Sequence, residues 1–124
     1  MEPTVRDMLT NFRSYKAELH LLEADKADGS RLYSAEAEVR RSCLKHLVMR
    51  VEAWMLLLSD DERFVIEMHL MAGIDIPRIV ALYQERWGNE FAKTEHTIKG
   101  YQKHALLKIL AFEQHLHDLN KAVS

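Results

Sequence analysis

With 124 residues, 48% apolar and 29% charged, the chain has the length of one domain, or of one domain with a helical extension, and the composition of a folded protein. No apolar run approaches the roughly 18 residues of a membrane span. MEPTVRDMLT has no basic stretch leading into an apolar one, and the sole cysteine, Cys43, excludes an intrachain disulfide and a cysteine-rich zinc site; these absences point to the cytoplasm. The formal charge of −2 is not that of a chain basic throughout. Its distribution is uneven, however: Lys93, Lys99, Lys103, Lys108 and Lys121 against Glu95, Glu113 and Asp118 leave the segment from 93 to 121 at +2.

Four glycines and two prolines leave room for long helices. The first is expected from about Pro3 to Asp25. Val5, Met8, Phe12, Tyr15, Leu19 and Leu22 are spaced alternately by three and four residues, an a/d heptad stripe. That stripe fits an antiparallel hairpin inside the domain or a dimerisation seam, and the pattern leaves both open. ADKADGS, residues 24 to 30, supplies the loop. A second helix follows from about Ser34 to Leu58, with Val39, Cys43, Leu47, Val51, Trp54 and Leu58 inward and Leu44, Val48 and Met55 widening the stripe. Its end, AWMLLL, is apolar all round and predicts burial between other helices.

Ser59-Asp60-Asp61-Glu62 is a capping box, with two further carboxylates suited to a helix N-terminus. The third helix runs on to about Met71, burying Phe64, Val65, Met68 and Leu70 or Met71, and Gly73 closes it. Asp75 caps a fourth helix with Pro77 in its first turn. This one buries Ile76, Ile79, Val80 and Leu82 or Tyr83, and ends at Trp87-Gly88. Thr94 caps a fifth, to about Leu110, with Ile98, Tyr101 or Gln102, Ala105 and Ile109 inward. The tail stays helical through Phe112, Leu116 and Leu119.

A capped helix, a glycine turn, a short amphipathic helix, a second turn and a longer helix with basic outward residues make the order of a helix-turn-helix. At these residues the chain resembles sigma-70 region 4. LSDDERFVIEMHLMAGIDIPRIVALYQ is similar to that family's opening through Leu58, Glu62-Arg63, Val65-Ile66, Gly73 and Ile79 to Ala81. TEHTIKGYQKHALLKIL resembles its recognition helix. Within that superfamily the likeness is greatest to small sigma-like phage regulators of the ArpU and RinA type, whose Y-K-x-E-I-x-x-L-E helix FRSYKAELHLLEADK resembles. Two positions depart from the pattern. The turn Gly88 to Lys93 is longer than L-G-x-S, with Phe91 in place of an aliphatic residue. Gln102 stands where a leucine is usual, so Tyr101 is expected to fill that space.

The resemblance implies that Glu95, His96, Thr97, Lys99, Gly100 and Lys103 face the major groove, beside the cap Thr94, and that Lys93 and Arg78 contact phosphate. Lys99 and Lys103, one turn apart, can reach phosphate or guanine O6 and N7. Gly100 is either an ordinary exposed glycine or a point of close approach to DNA. The seven histidines form no HExxH, and His115-x-His117 points to different sides of a helix. Nothing places a nucleophile beside Glu62 and His69 or Glu113 and His117. No catalytic residue, metal or cofactor is therefore expected. Trp54 and Trp87 read as core or interface anchors. Met49, Met55, Met68 and Met71 read as core filling or as an adaptable partner surface.

The expectation is an all-α chain. Residues 1–58 form a helical hairpin for dimerisation or partner contact, and residues 59–124 a three-helix DNA-binding unit with a helical tail. A transcriptional regulator of phage or prophage type follows, with double-stranded DNA as partner and RNA polymerase or a second copy as further candidates. Alternatives are a packaging protein of the small-terminase kind and a module that binds polymerase without DNA.

Overall fold

The computed structural model describes residues 3–29, 33–89 and 93–123, and these are all-α. Thr4 opens the first helix, α1 (Val5–Thr10), with a capping box: its hydroxyl accepts from the Asp7 N–H at 3.1 Å, and its own N–H donates to the Asp7 carboxylate at 3.2 Å. The expected single helix from Pro3 to Asp25 is broken at Asn11, where the backbone leaves helical geometry before α2 (Phe12–Ala27). The Asn11 amide donates to the Asp7 carbonyl at 2.9 Å, the local competition that makes asparagine a poor interior helix residue. The break turns α1 inward, so Met8 and Leu9 are both buried although Leu9 lies off the heptad stripe.

α2 reaches Ala27, past the expected end, and the Asp28-Gly29 turn uses positive φ at Gly29. Ser34 caps α3 (Ala35–Met55) by accepting from the Ala37 N–H at 3.1 Å. Lys26 pairs with Glu38 at 3.3 Å, Glu23 with Arg41 at 3.8 Å and Glu18 with Arg40 at 2.5 Å, so the later turns of α2 face the first turns of α3. No α2 residue is fully buried. Along this stretch the two helices join by half-buried apolar residues and by exposed ion pairs, which solvent screens.

The expected α3 stripe holds from Leu44 onward and fails at its start. Leu44, Val48, Val51 and Trp54 are buried, whereas Val39 is 71% exposed and Cys43 is exposed. AWMLLL is likewise not buried all round. α3 stops at Met55, and Leu56, 82% exposed, and Leu57 turn outward while Trp54 and Leu58 turn in. Arg63 secures that turn, its Nε donating to the Met55 carbonyl at 3.3 Å and its Nη2 to the Leu58 carbonyl at 3.2 Å.

α4 (Asp60–Val65) has the expected capping box, with the Glu62 N–H donating to the Ser59 hydroxyl at 3.3 Å and the Ser59 N–H to the Glu62 carboxylate at 2.9 Å. It continues as a π-helical segment, Ile66–Met71, closed by the Ala72 N–H on the Glu67 carbonyl at 2.9 Å and by Gly73 at φ +71°. The wider winding divides the side chains between two clusters. Ile66 and Leu70 join Met8, Leu9, Val51, Trp54, Leu58, Ala105 and Ile109 in one core. Phe64 and Val65 join Ile79, Tyr83 and Ile98 in another. α5 (Ile76–Trp87) and α6 (Glu95–Val123) complete the chain. α6 runs past Leu110 into the tail as a single helix, about 43 Å long at 1.5 Å per residue.

Candidate functional site

The site is built on the second cluster. Ile79 of α5, Phe64 and Val65 of α4 and Ile98 of α6 are all buried there, so the first turns of α5 and α6 are anchored to one apolar centre. Burying a residue such as Ile79 or Ile98 stabilises by roughly 1.5–3 kcal/mol. Aromatic rings extend this centre: Tyr83 stacks on Trp87 at 4.3 Å, Phe64 meets Trp87 edge-on at 5.0 Å, and Tyr101 lies over Tyr83 at 6.3 Å. The Tyr83 hydroxyl donates to Asp61, and burial together with that carboxylate pushes its pKa well above the usual phenol range. Trp87 is thus a packing anchor, half-buried and covered by the Arg86 guanidinium at 5.0 Å.

α5 begins after Asp75, whose side chain makes no capping hydrogen bond, with Pro77 in the first turn. Arg78 is exposed on that turn, directly before the buried Ile79. Gly88, at φ +89°, closes α5 with its N–H on the Gln84 carbonyl at 2.7 Å. The expected role of Phe91 falls outside the described residues. α6 starts where the Thr97 N–H donates to the Thr94 hydroxyl at 3.2 Å.

From there the helix periodicity sorts the candidates. Ile98, Ala105 and Ile109 point into the protein, while Glu95, His96, Lys99 and Lys103 are exposed. Thr94 is exposed at the cap, and Lys93, Thr97 and Gly100 are half-buried on the flanks. The Thr97 hydroxyl is within 3.1 Å of that of Thr94. A Cβ added at Gly100 meets no atom within 4 Å, so packing does not demand glycine there. Among the described residues, Arg78, Lys93, Lys99 and Lys103 take no carboxylate partner. Lys108, by contrast, is committed to Glu62 at 2.7 Å and does not belong with the other lysines of α6. Burial alone would raise the Glu62 carboxyl, but Lys108 and the Ser59 N–H outweigh it and hold the group below its usual pKa.

One feature of the surroundings had no signal in the sequence. Glu113 receives Arg50 at 2.6 and 2.7 Å and the Trp54 indole N–H at 2.7 Å, joining residues 63 and 59 positions apart. The Arg50 guanidinium holds the Glu113 carboxyl below its ordinary range despite partial burial. Beside Tyr101, Gln102 is half-buried, and its Oε1 is buried without a hydrogen-bond partner among the described residues. Both positions 101 and 102 thus face inward in part, with Tyr101 packed on the aromatic cluster. No helix among the described residues is long and apolar enough to cross a membrane. A scan of protein-family models and searches of curated proteins and of solved structures find no match to this chain.

Proposed function

We propose that the chain is a sequence-specific DNA-binding regulator, with α4, α5 and α6 as a helix-turn-helix and the first turns of α6 as the element that enters the major groove. One observation carries this. Ile98 and Ile79 fix the N-terminal turns of α6 and α5 to a common core, which leaves Glu95, His96, Lys99 and Lys103 outward on a rigid helix and Arg78 outward on its neighbour. Lys99 and Lys103 reach phosphate or guanine edges, Arg78 and Lys93 supply phosphate contacts, and Glu95 and His96 add polar contacts at the tip. The aromatic rings near the site are spent on packing, which favours duplex over single-stranded nucleic acid, where rings stack on bases. α2 and α3 serve as the hairpin that carries partner contacts. The resemblance to phage sigma-like regulators favours transcription as the setting.

Selection from random duplex DNA, followed by fluorescence anisotropy at two salt concentrations, tests this. An enriched motif bound in a salt-sensitive manner is expected. Lys99→Ala with Lys103→Ala should weaken binding and lower the salt slope by about 2, one for each phosphate that is no longer neutralised. Unchanged binding by that variant removes α6 as the reading element, and absence of any enrichment from folded protein removes DNA as the partner. Leu107 and Leu110, both about half exposed, continue the line of Lys99 and Lys103 along α6 and favour, as a second reading, a module that docks on a protein such as RNA polymerase.

A further inference from the structure

We propose that the C-terminal third of α6 is a self-association surface, with Phe112, Leu116 and Leu119 of one chain packing against the same residues of a second copy. This goes beyond DNA binding and does not depend on it. Ala105, Ile109, Phe112, Leu116 and Leu119 are spaced four, three, four and three residues apart, the a/d pattern of a helix that pairs with another helix. The first two are completely buried in the chain's own core, and Phe112 is half-buried. Leu116 is 37% exposed and Leu119 49%, and every residue from Gln114 to Ala122 lies in the exposed class. The seam thus outlasts the body that covers its first half. The comparable stripe at the N-terminus is used internally: Val5, Met8, Phe12 and Tyr15 all pack on the chain's own core.

A second copy suits this face for reasons of pattern, charge and size. An a/d seam is complementary to itself. Between Phe112 and Ala122 the charged residues are Glu113, Asp118 and Lys121, and Glu113 is already matched by Arg50, so two copies meet without a block of like charge. Beside the seam, α3 and α6 diverge to leave a cleft of about 480 Å³, with Met49 and Ala53 on the α3 wall, into which a partner's leucines fit. The stretch from Phe112 to Ala122 is roughly 16 Å long, and with the α3 wall about two helices wide, so it offers a face of roughly 300 Å². That is below the roughly 800 Å² per partner of a standard interface, so the pairing is weak and depends on concentration.

The test is sedimentation equilibrium of the full chain from micromolar to about 0.5 mM, a range suited to a small interface. Reductant is included because Cys43 is exposed. The mass should rise with concentration from 14.5 kDa towards twice that value. Leu116→Glu with Leu119→Glu should shift the rise to about tenfold higher concentration or abolish it. Leu119→Glu alone, a milder change, should act in the same direction, while Leu21→Glu on the exposed side of α2 should leave the rise in place. Circular dichroism should show the tail variants folded, since neither leucine belongs to the buried core. A constant single-chain mass, or association that survives the tail charges or is lost with Leu21→Glu instead, overturns the proposal.

Discussion

Glu62 is the one buried charged residue among those described, 5% exposed, and its carboxylate does two jobs. It accepts the Ser59 N–H that begins α4, and it receives Lys108 from the middle of α6 at 2.7 Å. Glu62→Ala removes both. A lost capping interaction costs about 1 kcal/mol, and a hydrogen bond to a charged group contributes about 1.5–3 kcal/mol. Lys108 is about half exposed and regains water when released, so the lower end of that range applies and the total is about 2–3 kcal/mol. Glu62→Gln keeps an acceptor for Ser59 and loses only the ion pair, so it should cost about half as much. Urea unfolding at neutral pH, followed by far-ultraviolet circular dichroism, measures both. A double-mutant cycle with Lys108→Met should return a coupling of about 1 kcal/mol. If Gln costs as much as Ala, or if the coupling vanishes, the pair does not clamp α6 to the start of α4, and the energetic account of this junction is wrong.

Replacing Gln102 by leucine removes a buried oxygen that lacks a partner among the described residues. It should stabilise by about 1 kcal/mol, read as a rise in Tm of about 4 °C for a chain of this length; a lower Tm would show that the amide is satisfied. Glu113, held below its ordinary value of 4.5 first by Arg50, and Glu62, held down by Lys108 against burial, bind protons more weakly folded than unfolded. Their contribution is complete above about pH 5 and is lost as pH falls below 4.5 towards the folded values. Tm should therefore be flat from pH 7 to about 5.5 and then fall, and Glu113→Gln should make that fall shallower; an unchanged acid limb would exclude Glu113 as a cause.

The parts of the fold legible in the sequence are those fixed by side chain and backbone a few residues apart. The Ser59 capping box, the glycine ends at Gly73 and Gly88, and the Thr94 start of α6 are of this kind. Asn11 carried the same sort of signal, a side chain competing for a backbone carbonyl, but the heptad stripe runs across it and masks the break. The facing of α3 was legible from Leu44 onward but not at its start. Val39 and Cys43 fit a helical period as well as Leu44 and Val48 do, and the choice was made by packing against α2 in three dimensions. The exposed face of α6 followed from period alone, whereas the withdrawal of Lys108 required Glu62, 46 residues earlier in the chain.

α6 changes role along its length. Its first turns are outward and basic, its middle is buried and clamped by Lys108, and its end is an open apolar seam. A single rigid helix therefore fixes the distance between the proposed reading face and the proposed seam: from Lys99 to Leu116 is about 26 Å at 1.5 Å per residue. If two tails pair antiparallel, the two Lys99 faces stand about 50 Å apart along the helix axes, more than the roughly 34 Å that places two half-sites on successive turns of DNA. If they pair in parallel, the faces come side by side and suit an inverted repeat with close half-sites. The symmetry and spacing of the selected DNA therefore report the direction of the tails. An asymmetric single site bound by one chain separates the two proposals, leaving the reading face intact and giving the tail no part in it.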